Sequence, residues 1–174
     1  LILIVLLCLP LVSATELKTR INIEGSTQFV DYTLLLDNPS PNTIDSYQFN
    51  IPPDAEIIYL TDDYSELPYE INDGIISYTF PQVILPMETR IVQLKLKTKS
   101  LIAQKFQTHE LVYIAKHHED LSSFELLVKF PEDAELEESI PIAQALGLFG
   151  RPAYSWKMPL KEDELKVFIA TYLR

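Results

Sequence analysis

Residues 16–36, ELKTRINIEGSTQFVDYTLLL, decide the fold class. In the first part of this stretch, apolar or hydroxyl side chains at positions 17, 19, 21 and 23 alternate with charged or amide side chains. Because successive side chains of a β-strand point to opposite faces, this period of two predicts a strand with one buried face. Gly25 and Ser26 then turn the chain. Residues 27–36 predict a second strand directly after the turn.

The same rhythm continues along the rest of the chain. Tyr47, Phe49 and Ile51 alternate with amide side chains, and Pro52-Pro53 ends this third strand because proline has no N–H for the strand ladder. Only residues 142–146 could form a turn or two of helix. The sequence therefore predicts an all-β protein, with further strands at residues 57–61, 75–80, 90–96, 106–114, 123–130, 153–156 and 165–172.

An internal repeat is the most informative feature of the organisation. Residues 47–57, YQFNIPPDAEI, align with residues 126–136, LLVKFPEDAEL, and residues 74–80, GIISYTF, align with residues 150–156, GRPAYSW. These matches predict two tandem immunoglobulin-like β-sandwich units, residues 15–100 and residues 101–174, the second of which we expect to be cut short at its C-terminal end. The alternative is that any strand, proline, strand arrangement produces such an alignment.

The first residues have the composition of an export signal. Residues 1–12, LILIVLLCLPLV, are uncharged and apolar, and small residues follow up to Ala14, before the first charge at Glu16. This predicts a secretory signal peptide over residues 1–14. The stretch is too short to span a membrane, which takes about 20 apolar residues. Because an initiator methionine and a basic leader are missing, we expect the sequence to be truncated at its start.

The single cysteine, Cys8, lies inside this apolar segment. A lipoprotein signal needs a small residue before its cysteine, and Leu7 disfavours that assignment. The exported part has no disulfide, thiol nucleophile or thiolate metal site. Its stability must therefore come from an apolar core, for which about 160 residues suffice.

The charge balance excludes several partners. The chain has 14 Lys and Arg against 25 Asp and Glu, a net charge of −11, and the first charge is Glu16. Nucleic acid and anionic lipid headgroups both require a basic surface, so neither is expected to bind this region. A membrane is expected only through a downstream anchor outside the sequence.

One cluster of metal-competent side chains stands out: His117-His118-Glu119-Asp120, with His109 upstream. Adjacent histidines on a strand point to opposite faces, so this pair cannot chelate one ion from regular β geometry. We expect the cluster to be a solvated loop between two strands.

Other acidic groups could supply oxygen ligands for calcium. Asp62-Asp63 with Glu66 lacks the Asp-x-Asp-x-Asp-Gly spacing of a calcium loop, so an acidic turn is favoured. Residues 162–164, Glu-Asp-Glu, are likewise expected to form a solvated turn.

Four aromatic residues could line a sugar-binding face: Trp156, Tyr154, Tyr78 and Phe80. Their matched places in the repeat favour core packing instead. Burial of Trp156 and Tyr154 would remove the sugar-binding hypothesis, and exposure would revive it.

The sequence contains none of the patterns G-x-S-x-G, H-E-x-x-H, G-x-x-x-x-G-K-[ST] or G-x-G-x-x-G. We therefore predict no catalytic residue, no cofactor, no metal and no enzymatic activity for this region. A carboxylate pair assembled by the fold stays open, since the chain has 25 acidic residues.

Five segments carry a family resemblance: DYTLLLDNPS (31–40), IPPDAEI (51–57), FPEDAEL (130–136), GRPAYSW (150–156) and VFIATY (167–172). Through them the chain resembles the extracytoplasmic region of a class of archaeal membrane proteins. The resemblance implies a signal peptide, one or two β-sandwich domains, a transmembrane helix and often a cytoplasmic winged-helix domain. A fainter likeness, through residues 83–97, is to the lumenal β-domains of ribophorin I, an oligosaccharyltransferase subunit.

These observations lead to one main functional hypothesis and two alternatives. The first is a non-enzymatic interaction or sensory domain of a membrane-tethered cell-envelope protein, outside the cytoplasm. The second is an accessory subunit of an envelope glycosyltransferase complex, and the third is a carbohydrate-binding or hydrolytic β-domain. The ligand or protein partner cannot be assigned from the sequence.

Overall fold

The computed structural model describes residues 15–117, 119–148 and 150–174. The segment predicted to be a signal peptide, residues 1–14, lies outside them. The described residues contain no helix able to cross a membrane. They form β1 (Glu16–Glu24), β2 (Thr27–Asp37), β3 (Ile44–Asn50), β4 (Glu56–Asp62), β5 (Tyr69–Asn72), β6 (Ile75–Ile84), β7 (Thr89–Thr98), β8 (Ile102–Lys105), β9 (Thr108–Lys116), β10 (Leu121–Lys129), β11 (Glu135–Ile140), β12 (Gln144–Leu148), β13 (Arg151–Leu160) and β14 (Leu165–Leu173).

These strands build three sheets, which confirms the all-β prediction and agrees with a β-sandwich. The large sheet has seven strands in the order β12-β13-β10-β1-β2-β7-β4. A four-stranded sheet has the order β11-β14-β9-β8, and a three-stranded sheet has the order β3-β6-β5. The paired strands within these sheets are antiparallel, except that β1 and β10 run parallel at the centre of the large sheet.

Both smaller sheets pack against the large one. Tyr32 on β2 contacts Phe49 on β3 edge to face, with ring centroids 4.8 Å apart. Phe124 on β10 lies 5.5 Å from Phe168 on β14. The alternating pattern buries one face of β1 and β2, where every second residue is buried. Each large apolar side chain in this core stabilises the fold by about 1.5–3 kcal/mol.

Strand pairing follows one scheme twice. Strands β1 to β7 pair as β1-β2-β7-β4 and β3-β6-β5, and strands β8 to β14 pair as β8-β9-β14-β11 and β10-β13-β12. The parallel β1·β10 pair joins four strands of the first set to three of the second, and so forms the large sheet. The segments that align in sequence occupy matching places: β3 and β4 correspond to β10 and β11, and β6 corresponds to β13.

One prediction about local structure is wrong and one is shifted. Residues 142–146 are not helical, because residues 144–148 form β12 and pair with β13, with Ala145 opposite Tyr154. The strand predicted at residues 106–114 is present as β9, Thr108–Lys116, which begins two residues later. Phe106 has a positive φ of 58° and, with Gln107, turns the chain between β8 and β9. The four-residue strands β5 and β8 are too short for a period-two pattern to show.

Candidate functional site

Two buried tyrosines face each other across the three-stranded sheet. Tyr47 on β3 pairs with Tyr78 on β6, and their ring centroids are 6.0 Å apart. Both side chains alternate with exposed or half-buried neighbours, so they point into the core. The buried row therefore brings two phenol groups close to the loop after β9.

That loop ties Tyr47 into a ring of hydrogen bonds. His117 is 3% exposed, and its Nε2 lies 2.8 Å from the hydroxyl of Tyr47. The backbone N–H of Glu119 donates to His117 Nδ1 at 3.3 Å, and the Tyr47 hydroxyl donates to the Glu119 carboxylate at 3.4 Å. His117 Nδ1 also lies 3.2 Å from the backbone oxygen of Glu119, so the tautomer of the ring decides which nitrogen donates and whether Tyr47 accepts from Nε2 or donates to it. The loop is thereby fixed against the edge of the three-stranded sheet.

The electrostatics of this group keep both phenols neutral. Burial raises the pKa of Tyr47, and the Glu119 carboxylate raises it further. Burial and Glu119 also raise the pKa of Tyr78. A phenol with a raised pKa stays protonated at neutral pH, so neither tyrosine can serve there as a phenolate base. Both can donate or accept hydrogen bonds.

An open cleft of about 610 Å³ adjoins these groups. Its lining is polar and includes two carboxylates, together with hydroxyl and amide groups, from Ser46, Gln48, Tyr69, Glu70, Thr79 and Glu119. Such groups suit a hydrogen-bonding or cationic ligand. No three His, Cys, Asp or Glu side chains are arranged to hold a metal ion within the part of the chain that the structure describes.

The predicted histidine cluster does not form one site. His117 is buried rather than solvated, so the loop prediction is wrong for this residue: its ring fills the space beside Tyr47 and Phe49. His118 lies outside the described residues. Asp120 accepts a hydrogen bond from the N–H of Glu162 at 2.7 Å. His109 is distant in the fold and stacks on Tyr172, with ring centroids 5.0 Å apart.

The acidic group at residues 62–66 is organised around a buried arginine. Arg90 is 1% exposed and contacts Asp62 at 2.9 Å and Glu88 at 2.7 Å. Asp63 accepts from the N–H of Ile91 at 3.0 Å, so its carboxylate is used elsewhere. Asp62 is thus half of a buried ion pair, a role that the acidic-turn prediction missed. No shared calcium site is formed by these carboxylates.

Hydrogen bonds set the pKa of Asp62. Burial alone would raise it, but the N–H groups of Tyr64 and Ser65, each 2.9 Å from Oδ1, and the Arg90 guanidinium lower it overall. The carboxylate is therefore charged at neutral pH and holds the turn and the arginine together.

The aromatic residues matched in the repeat lie mainly in the core. Tyr78, Phe80 and Trp156 are buried, and Tyr154 is half-buried. Trp156 donates from Nε1 to the backbone oxygen of Pro141 at 2.7 Å. Burial removes the sugar-binding hypothesis based on Trp156 and Tyr154.

The acidic run at residues 162–164 lies in the turn between β13 and β14. The N–H of Asp163 donates to the backbone oxygen of His117 at 2.8 Å. The Glu164 carboxylate accepts from the N–H of Lys161 at 3.1 Å. This turn is a structural neighbour of the histidine loop.

A second surface of interest is the outward side of the four-stranded sheet, which we call the outer apolar face. Its central strands are apolar on both sides: Phe168, Ala170, Leu111 and Tyr113 are buried, whereas the alternating residues between them point outward. The outward set is Val112 and Ile114 on β9, Leu165, Val167 and Ile169 on β14, and Ile140 on β11. Ile114 and Leu165 are each 56% exposed.

The large sheet has a different outward side. On β1 that side carries Lys18, Arg20 and Asn22, and on β7 it carries Gln93, Lys95 and Lys97. Strands buried on both faces read as continuous apolar runs, whereas strands with one wet face alternate. By this criterion β9 and β14 have the composition of covered strands, and β1 has that of a solvated strand.

Sequence reasoning missed Arg90, Tyr47 and the outer apolar face. The run LKVFIATYL of β14 carried the signal for the face, because its apolar residues do not alternate with polar ones. No local pattern identifies the burial of Arg90: Glu88 is two residues away, but Asp62 lies 28 residues earlier, at the end of β4.

The fold belongs to a class of architecture found within zinc metallopeptidase chains. The M1 zinc metallopeptidase from Deinococcus radiodurans has a TM-score of 0.60 to this chain at 11% identity. The match covers 91% of this chain and 41% of that one. A mutant of that enzyme bound to a Tyr-Ser-Ala substrate gives a TM-score of 0.63 at 10% identity, covering 89% and 41%. No protein-family model and no curated protein matches this sequence.

These structures contradict the prediction of no enzymatic activity for this region, because the chains described above, which share its fold, are M1 zinc metallopeptidases. The present chain spans about two fifths of the length of these zinc metallopeptidase chains. At this level of identity the likeness establishes the fold alone. The absence of a catalytic motif within 174 residues was too narrow a basis, because the motif of an enzyme can lie in another part of the polypeptide.

Proposed function

We propose that this chain is the β-sandwich part of a longer exported protein with a metallopeptidase-like organisation, and that its outer apolar face packs against another part of that protein. The observation that carries the proposal is the two-sided apolar character of β9 and β14. The chain would then act as a packing and recognition domain beside the region that performs the chemistry.

The energetics favour a covered face. Fully burying one Ile or Val side chain contributes about 1.5–3 kcal/mol. The face presents five such side chains and Leu165 next to one another, and contiguous apolar patches of this kind mark interaction sites in soluble proteins. The coverage of 41% supports the same conclusion, because this architecture occurs there with a larger remainder of chain.

The finer organisation is part of the proposal. We take residues 15–100 and 101–174 as two related immunoglobulin-like sandwich units, supported by the repeated strand-pairing scheme. An extracytoplasmic location is supported by the apolar composition of residues 1–12, followed by small residues. A membrane tether stays a prediction that depends on sequence beyond residue 174.

The described residues do not fit a zinc ion, since no three candidate ligands converge among them. No catalytic step is therefore assigned to this chain's side chains. In the proposed protein, zinc ligands come from the remaining polypeptide.

The reading frame extended in both directions gives the first test. An H-E-x-x-H pattern outside this region, with zinc-dependent cleavage of an amino-acid p-nitroanilide by the full-length protein, supports the proposal. A transmembrane span followed by a winged-helix domain, and no cleavage, would favour the sensory ectodomain. Further lumenal domains would favour the glycosyltransferase subunit.

The packing role has its own test in the full-length protein. Val167→Glu with Ile140→Glu places two charges on the outer apolar face. Calorimetry is expected to resolve a separate, earlier transition for this domain in the variant. The matched control, Ile91→Glu with Gln93→Glu, places two charges on the outward side of the large sheet and should keep a single transition. Equal behaviour of the two variants contradicts the packing role.

A further inference from the structure

The repeated pairing scheme shows one position that is filled in the first set of strands and open in the second. Strand β2 and strand β9 are counterparts: Thr27 and Thr108 each follow a hairpin turn, and Tyr32 and Tyr113 each lie five residues later. Residues 31–35 of β2 are covered on one side by residues 16–20 of β1. The counterparts of residues 31–35 are residues 112–116 of β9.

Residues 112–116 have no strand on the corresponding side within the described part of the chain. Strand β8 pairs only with residues 108–111, and the last contact on that side is the N–H of Val112 donating to Leu101 O at 2.8 Å. The chain cannot extend β8 backwards, because only three residues separate it from the end of β7. Strand β1 has no such constraint and pairs with residues 27–35 of β2.

Along residues 112–116, the N–H groups of alternate residues point away from β14, to the open side of the strand. Along an antiparallel strand, successive N–H groups point to alternate sides, so the N–H of Ile114 points to the same side as that of Val112. The same holds for Lys116, whose carbonyl accepts a side-chain hydrogen bond from Asn50 Nδ2 at 3.4 Å. An amide side chain thus occupies one acceptor that a strand would otherwise use.

A groove of about 460 Å³ runs beside this edge. Its lining includes residues of β9 and the turn after β3 at residues 51–53, Ile-Pro-Pro. Tyr32 and Tyr113 lie at its base, and Leu101 and Leu165 complete an apolar lining. In the first set of strands, the matching space is filled by Leu17 and Thr19, and Thr19 Oγ1 is 3.4 Å from the Tyr113 hydroxyl.

We propose that this groove, which borders the outer apolar face at Val112, Ile114 and Leu165, stays open at the rim of the packing contact proposed above and binds an extended segment of another polypeptide, which adds to β9 as an antiparallel strand along residues 112–116. The segment takes the place beside β9 that β1 takes beside β2. Its inward side chains are small or medium apolar residues, as at positions 17 and 19 of β1. Strand addition of this kind obtains affinity from main-chain hydrogen bonds and specificity from the alternate side-chain positions.

The lining of the groove selects the partner. It is mainly apolar, and Lys116 is the one charged residue among its lining residues, so the inward side chains of the segment rather than its charge determine the fit. With a net charge of −11, the chain repels a second copy of itself, so the segment belongs to a different polypeptide. Strand β1 has suitable inward side chains, Leu17 and Thr19. A peptide with the sequence of residues 16–24, ELKTRINIE, is therefore a suitable probe.

The test measures binding of that fluorescein-labelled peptide to the full-length protein by fluorescence anisotropy. Ile114→Pro removes the N–H that faces the groove, and the ring occupies the edge, so affinity should fall about tenfold or more. Ile114→Thr is the matched control: it also replaces the isoleucine side chain but keeps the backbone N–H, so the affinity for the peptide should stay within about threefold of the unmodified protein. Circular dichroism of both variants checks that the fold is retained. Equal affinities for the two folded variants overturn the proposal.

Hydrogen exchange locates the bound peptide and covers the case in which Ile114→Pro fails to fold. Slower exchange at residues 112–116, with no change at residues 31–35, is the expected result. Protection at residues 31–35 instead means that the peptide replaces β1, and overturns the proposal. No measurable binding, or binding accompanied by dimerisation in sedimentation, overturns it as well.

Discussion

Arg90 offers the sharpest test of how this fold is held together. The guanidinium contacts Asp62 at 2.9 Å, Glu88 at 2.7 Å and the backbone oxygen of Gln82 at 3.2 Å, and it lies 4.4 Å from the centre of the Tyr64 ring. Arg90→Met keeps most of the buried stem and removes the charge. Asp62, whose side chain is 1% exposed, then loses its counter-ion.

Breaking a buried ion pair by removing one partner costs about 3–5 kcal/mol. Two backbone N–H groups still stabilise the Asp62 carboxylate, and Glu88 is partly exposed, so we expect the lower end, about 3 kcal/mol. For a chain of this size that corresponds to a fall in Tm of roughly 6–12 °C.

The assay is urea unfolding followed by circular dichroism, with Lys95→Ala as the control. Lys95 lies on the same strand and pairs with Asp31 at 3.4 Å, but both side chains are about one third exposed. An exposed pair contributes at most about 1 kcal/mol. If Arg90→Met lowers the free energy of unfolding no more than Lys95→Ala does, the buried ion pair does not stabilise the fold and the reasoning is wrong.

Three further predictions concern stability. Trp156→Phe leaves a backbone carbonyl without its 2.7 Å donor and should cost about 2 kcal/mol in urea unfolding, whereas an unchanged midpoint would contradict the buried hydrogen bond. Gly74→Ala forces a side chain into a backbone with φ of 76° and places Cβ 3.3 Å from a carbonyl oxygen, so a loss of about 1–2 kcal/mol is expected in the same assay. Asp54 and Asp62 have lowered pKa values. Burial raises the pKa of Asp54, but hydrogen bonds from the Ser100 and Thr98 hydroxyls and the Lys99 N–H lower it overall. Burial likewise raises the pKa of Asp62, but backbone N–H groups and Arg90 lower it overall. Their contribution is present above the unfolded pKa of about 3.9 and is lost as pH falls through the lower folded values, so the Tm should drop below about pH 4, and less steeply in Asp62→Asn.

Local patterns predicted most of the strands, because period-two alternation and proline stops act within a few residues. The apolar run of β14 is a local signal as well. It predicts a strand, and the lack of alternation also indicates that both faces of the strand are apolar. Pairing depends on distant residues: nothing near Glu16 indicates that β1 runs parallel to β10. Residues 142–146 illustrate the same limit, since a weak helical pattern yields to the partner strand β13.

The candidate sites divide in the same way. The sequence alone shows that residues 62–66 lack a metal-ligand spacing. The burial of Asp62 against Arg90 depends instead on strands β4 and β7, which pair only in the folded chain. The sequence predicts a solvated loop at His117 because adjacent histidines on a strand cannot chelate one ion. In the structure His117 is buried, and its ring contacts the hydroxyl of Tyr47, seventy residues earlier. The likeness of the fold to part of M1 zinc metallopeptidase chains came from comparison of folds and had no counterpart in the sequence motifs.

Strand β1 pairs in parallel with β10, and the paired residues Glu16 and Ser123 are 107 residues apart in sequence. Strand β1 therefore cannot complete its pairing until β10 is available. During synthesis at about 5–20 residues per second, the free side of β1 stays open for several seconds before that partner leaves the ribosome. Closing so long a loop is also slow in refolding from denaturant. Correct assembly of this protein thus depends on timing, because an unsatisfied central strand must be kept from foreign chains until the second half of the molecule arrives.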